Sequence, residues 1–222
     1  TPPLLQYSFK FFLRLLQQRL KQKNKITIIT VVYNNELQIE DTIKSVITQN
    51  RRDFEYIIID GKSNDRTLEI VLKYKKYIDI IISEKDINLY DAINKGIKNS
   101  SCDYIYLLHS GDTLHNKNVI DKYLNFISKY PKIDLFFNDM KIRHKGKFLI
   151  LKPKIKLLWK NMLLNHPTWL IKKEIFNKYG LYDIKFPIAG DYDFALRVFH
   201  RINYKYLNFI STVFSLDGVS YF

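Results

Sequence analysis

Cysteine is nearly absent. The 222-residue chain holds one, Cys102, so no disulfide can form within it. A lone thiol fits a reducing, cytosolic setting. No uncharged apolar run approaches the roughly 18 residues a membrane-spanning helix needs. Residues 4–16 are apolar but interrupted by Lys10 and Arg14, with no small-residue cleavage site after them, so they do not read as a signal peptide. The patterns GxGxxG and GxxxxGK are missing, which excludes the usual dinucleotide loop and the P-loop. Internal repeats, low-complexity tracts and linkers are missing too. The most localised absence is of acids: residues 1–25 carry six Lys or Arg, residues 141–160 carry eight, and neither segment contains Asp or Glu. These two segments hold the whole excess behind the net charge of +14. Such segregation points to an anionic partner, whether membrane, nucleic acid or phosphorylated substrate.

What is present supports a sizeable core. Hydrophobic residues make up 46% of the chain, and its length suits one generous domain or one domain with a small appendage. Residues 4–20 space Leu4, Leu5, Phe9, Phe12, Leu13, Leu16 and Leu20 as an amphipathic helix, predicting a basic helical extension over 1–25 outside a main domain at 26–222. From there short apolar runs alternate with helical patterns. Strands are expected at 26–33, 55–60, 77–82 and 104–108, with helices at 36–49, 66–76 and 89–99 between them. This alternation predicts an α/β fold with a parallel sheet. Further on, residues 134–151 read as a hairpin around HKG, 117–129, 173–179 and 191–201 as helices, 155–164 as a basic amphipathic helix and 168–171 as a short strand. The chain then closes on two strand-like runs, YKYLNF and STVFSL.

Three acidic turns share one address. Asp60 ends the second strand in IIIDGKSNDRT, Asp112 follows the fourth in YIYLLHSGD, and Asp191 opens a helix in AGDYDFALR. Strand ends in a parallel sheet point to one edge, where open α/β sheets bind ligands, so Asp60 and Asp112 are expected to meet there. Converging carboxylates repel unless a cation sits between them, and an oxygen-rich, open site suits Mg²⁺ or Mn²⁺ on a diphosphate. Each Asp is equally explained alone as a turn or helix-capping residue.

Taken together, these stretches resemble the family 2 glycosyltransferases of the GT-A fold. The resemblance runs over about residues 26–220, through ITIITVVYNNE, IIIDGKSNDRT, ISEKDINLYDAINKGI, LLHSGDTL, NHPTWLIKKEIFNKYGLYD, AGDYDFALR and FSLDGVS. It implies a Rossmann-like, mostly parallel sheet whose residues 26–115 form a nucleotide-sugar half and 116–222 an acceptor half. It also implies transfer of a sugar, with inversion, from a nucleotide-diphosphate donor, UDP foremost, to a glycan or lipid-linked glycan. By the same resemblance Thr30, Tyr33, Asp60, Asp91, Lys95 and Asp112 fall on the donor side. Asp112 would ligate Mn²⁺ or Mg²⁺, Asp191 would be the general base, and His109, His166 and Trp169 would lie on the acceptor or phosphate side. Two departures stand out: Asp112 is the only carboxylate of its motif, and Gly190 replaces the more usual acid before the base.

Two other readings compete. A nucleic-acid-binding domain would use the charge and the 16 Tyr and 15 Phe, but these fall mainly in strands and helices and no nucleic-acid module is present. A non-catalytic scaffold of the same fold is opposed by the joint retention of Asp112 and Asp191. The expected setting is the cytoplasmic face of a membrane, with the basic segments on anionic lipid.

Overall fold

The computed structural model describes residues 26–155 and 164–216. The basic extension at 1–25, most of the helix expected at 155–164 and the end of FSLDGVS lie outside the described residues.

The first half is a parallel α/β block. Strands β1 (Ile26–Val32), β2 (Phe54–Asp60), β3 (Ile80–Ser83) and β4 (Tyr104–Leu107) alternate with helices α1 (Ile39–Ile47), α2 (Thr67–Lys73) and α3 (Leu89–Asn99). All seven residues of β1 are buried, as expected of a strand covered on both faces. Ile28, Tyr56 and Tyr106 lie side by side on one face and Ile29, Ile57 and Leu107 on the other, so two separate apolar cores form. In α1 the buried Ile39, Thr42, Ile43, Val46 and Ile47 make the stripe that covers the first core. Helix α3 starts where Asn88 caps it, its side chain accepting from the backbone N–H groups of Tyr90 at 3.0 Å and Asp91 at 3.1 Å.

The second half extends the same sheet. Its elements are β5 (Thr113–Leu114), α4 (Val119–Lys129), β6 (Leu135–His144), β7 (Lys147–Leu151), β8 (Leu170–Lys172), α5 (Lys173–Tyr179), α6 (Gly190–Val198) and β9 (Tyr204–Ser215). The sheet order is β3-β2-β1-β4-β8-β6-β9-β5, with β7 on β6. β8 runs antiparallel to both β4 and β6, and β6 is parallel to β9, so most paired residues lie in parallel ladders. The expected hairpin is present, closed by Lys145 and Gly146 with φ of 46° and 73°, the left-handed pair that a tight hairpin turn uses. Two details differ from the sequence reading. YKYLNF and STVFSL form one strand, β9, because the register shifts opposite Asn138 and Asp139 absorb the break in alternation. The helix expected over 66–76 ends at Lys73 and gives way to a tighter turn at Lys75–Tyr77.

Candidate active site

A cavity of about 880 Å³ opens where β1, β2 and β4 end, with the β6–β7 hairpin and the start of α6 across from them. Asp112 stands on one wall. The turn that carries it is pinned to α1: the Gly111 N–H donates to Thr42 Oγ1 at 3.0 Å, and Thr42 Oγ1 donates to the Asp112 carbonyl at 2.8 Å. Gly111 itself has φ 99°, and a Cβ there would stand 2.7 Å from Gln38 Oε1. Asp112 Oδ1 accepts the Ser215 backbone N–H at 3.0 Å, whereas the buried Oδ2 has no hydrogen-bond partner. Burial pushes the carboxyl up to about 8, against the opposing pull of the Ser215 N–H and the Arg143 guanidinium.

Asp191 lines the same cavity from the first turn of α6. Its Oδ1 accepts from the Tyr90 hydroxyl at 3.1 Å and from the Tyr192 N–H at 2.9 Å. Burial and then the Asp191 charge raise the Tyr90 pKa, so this phenol stays a donor. The structure also accounts for Gly190, the departure from the more usual acid: a Cβ there would sit 2.8 Å from the Tyr90 ring. Tyr90 occupies the space a side chain would need. Gly190→Ala is therefore expected to cost about 1–3 kcal/mol by overpacking, read as a lower denaturant midpoint.

Two histidines share the cavity with the carboxylates. His109 and His166 both line the cavity, with ring centroids 6.3 Å apart. Burial lowers His109 to about 4, helped by His166 and opposed by Asp191; burial also lowers His166. His166 Nε2 lies 2.9 Å from the Tyr182 hydroxyl. Both imidazoles are thus mainly neutral at pH 7, acting as hydrogen-bonding groups and not as cations.

Tyr33 also lines the cavity and is 63% exposed, a flat ring open to a ligand. Other residues assigned from the resemblance stand off the wall. Asp60 is fully buried and its carboxylate is occupied by the Ser63 N–H, the Ser63 hydroxyl and the Ser83 hydroxyl; Gly61 and Lys62, which follow it, line the cavity instead. Its carboxylate is therefore spent on shaping that loop, and no cation is needed to reconcile it with Asp112. Thr30 is fully buried, its hydroxyl 3.2 Å from the Tyr56 hydroxyl. Lys95 is held by Asp86 at 2.7 Å, Glu84 at 3.0 Å and Asp91 at 3.3 Å, so neither Lys95 nor Asp91 extends into the cavity. Asp86, the third member of that cluster, does line it. Trp169 turns into the core, its indole N–H donating to the Leu164 carbonyl at 2.9 Å. Sequence reasoning missed Tyr90, Asp86, Ser215 and Asn165. Asn165 lines the cavity with a buried, unpartnered Oδ1 while its Nδ2 donates to the Asn138 and Leu151 carbonyls.

Among the described residues no three His, Cys, Asp or Glu side chains gather as a metal site. Among the described residues Asp112 Oδ2 is instead a buried carboxylate oxygen without a hydrogen-bond partner. That donor set fits a divalent ion that takes one or two protein carboxylates and completes its shell with water and substrate phosphate.

A sheet of this order, with its cavity at the strand ends, has the GT-A fold. Staphylococcus aureus TarS matches with a TM-score of 0.75 at 18% identity, over 86% of this chain and 37% of that one. The TarS fragment 1–349 in complex with UDP matches with a TM-score of 0.73 at 19% identity, over 86% and 60%. The mannosyltransferase PcManGT from Pyrobaculum calidifontis, in complex with GDP-Man and Mn²⁺, gives a TM-score of 0.63 at 13% identity, over 84% and 55%. The chain thus spans less than two thirds of each of these proteins.

The chain belongs to glycosyl transferase family 2, whose family model matches residues 27–202. Among named relatives, a PGL/p-HBAD biosynthesis glycosyltransferase of Mycobacterium bovis (strain BCG / Pasteur 1173P2) is 25% identical over 181 residues, covering 78% of this chain and 69% of that one.

Proposed function

We propose that this chain transfers a sugar from a nucleotide-diphosphate sugar, UDP-linked, to a hydroxyl of a glycan or lipid-linked glycan, with inversion at the anomeric carbon. The observation that carries this reading is that Asp112 and Asp191, the two carboxylates the reaction needs, line one cavity from separate elements. Family membership and the UDP and UDP-GlcNAc complexes of TarS support the donor class.

The roles follow from the surroundings of each residue. Tyr33 offers its exposed ring to the base, and the Gly61–Lys62 backbone shapes the nucleoside end. Asp112, with its buried Oδ2 unpartnered, would hold a divalent ion, Mn²⁺ or Mg²⁺, which would supply neutralisation of the charge on the departing diphosphate. Asp191, oriented by the Tyr90 hydroxyl, accepts the proton of the acceptor hydroxyl as its oxygen bonds to the anomeric carbon and the bond to the diphosphate breaks. His109 and His166, neutral groups lining the same cavity, hydrogen-bond the transferred sugar or the acceptor without adding charge.

Thermal-shift screening against UDP-, GDP- and dTDP-sugars with Mn²⁺, followed by assay of nucleoside diphosphate release, tests the reading. One nucleotide class should stabilise the protein and be hydrolysed slowly without acceptor. Absence of any nucleotide-dependent shift would end it.

A further inference from the structure

We infer that the β6–β7 hairpin is the element by which this protein docks on an anionic phospholipid surface. Phe148, Leu149 and Ile150, consecutive on β7, are 58%, 63% and 52% exposed. Successive strand residues point to opposite faces, so both faces of this strand end in water. Among the described residues β7 pairs only with β6, leaving its outer edge open as well. Soluble proteins guard such edges with charge, and here the charge has one sign: residues 141–160 contain eight Lys or Arg and no acid. No carboxylate among the described residues pairs with Lys147, Lys152 or Lys154. Lys141 Nζ stands 4.0 Å from the centre of the Phe148 ring, so base and aromatic present themselves together.

The two properties select the partner. A nucleic acid would use the bases and leave three large apolar side chains in water, and a neutral apolar partner would do the reverse. The headgroup region of an anionic bilayer takes both at once, apolar groups sinking while lysines meet phosphate. The placement has a further meaning for the site. Met140 and Leu151, paired in register towards the base of the hairpin, line the cavity, and Ile87 and Ile188, 73% and 85% exposed, line it too. A hairpin resting on lipid therefore holds the cavity mouth beside the bilayer, where a lipid-linked acceptor would be presented. Docking itself does not rest on the proposed transfer, and only this last consequence does.

The test is co-sedimentation of the full chain, without donor, with vesicles of phosphatidylcholine alone or mixed with phosphatidylglycerol. Binding is expected on the mixed vesicles and should weaken as salt shortens the Debye length. Lys147→Glu with Lys152→Glu should reduce partitioning by roughly 30-fold or more, the factor set by about 1 kcal/mol for each of two bases. Phe148→Ser with Ile150→Ser should reduce it by about tenfold or more. Should either double variant melt early, Phe148→Trp replaces it, and its emission should shift to the blue on mixed vesicles only. Removal of residues 1–25 should leave this hairpin-dependent part in place. Equal partitioning onto both vesicle types, none onto either, or hairpin variants that bind like the parent would overturn the inference. So would a dimer in solution that the same variants dissolve. Because no donor is present, failure here leaves the transferase reading untouched, and failure of the nucleotide screen leaves this one standing.

Discussion

Asp191→Asn leaves nucleotide-sugar affinity close to that of the parent and lowers transfer by roughly 10²- to 10⁴-fold, the usual contribution of a positioned base. The two effects separate because Asp191 enters the cavity from α6 and Asp112 from the turn after β4. An amide can still accept from the Tyr90 hydroxyl, so the fold around α6 is expected to survive. It has no basicity for the acceptor proton. Donor affinity by calorimetry and transfer rate under saturating donor are the paired measurements. A variant as active as the parent would remove Asp191 from the chemistry.

Asp112→Asn is expected to abolish the metal-dependent part of nucleotide binding while barely changing the weaker binding without metal. The pH behaviour sharpens this. Without metal, burial holds the Asp112 carboxyl at about 8, above the roughly 3.9 of an unfolded aspartate. A raised carboxyl pKa means that the folded protein keeps a proton the unfolded chain releases. This contribution to stability is fully present below about pH 4 and is lost as pH rises through about 8. A divalent ion must displace the same proton, so its affinity should climb about tenfold per pH unit from 6 towards 8 and then level off. Titration of Mn²⁺ by calorimetry in buffers of different ionisation enthalpy reads both affinity and proton release. Unaltered Mn²⁺ affinity in Asp112→Asn, or full turnover in excess EDTA, would contradict the assignment.

The parallel half of the fold was legible because its strands are β-branched and its helices carry regular stripes. The helix expected at 89–99 matches α3 at both ends, and the structure adds Asn88 as its cap. Asp112 and Asp191 were legible as turn and helix-start acids at the sheet edge, and both line the cavity. The partners of Asp60 were not legible, because its carboxylate is satisfied partly by Ser83, on a neighbouring strand, a pairing no local pattern reveals. The ion pairs of Lys95 were hidden for a similar reason: Glu84, Asp86 and Asp91 gather around it only once β3 and α3 have packed. Thr30 sits in a strand buried on both faces, where alternation gives no hint of which side meets a ligand. In NHPTW, a single tight turn at His166–Thr168 sends His166 to the cavity and Trp169 to the core. Ser215 was invisible in principle, since its contribution is a backbone N–H aimed at Asp112.

The antiparallel strand β8, joined to β4 on one side and β6 on the other, makes the two halves of the chain one hydrogen-bonded sheet. A transferase built as two lobes can close on its substrate by rotation at a hinge, but no seam of that kind divides this sheet. On the proposed reading, ligand entry and release fall to side chains and to the loops around the mouth. On the same reading, the spacing between Asp112 and Asp191 is inherited from folding and is not set anew in each turnover.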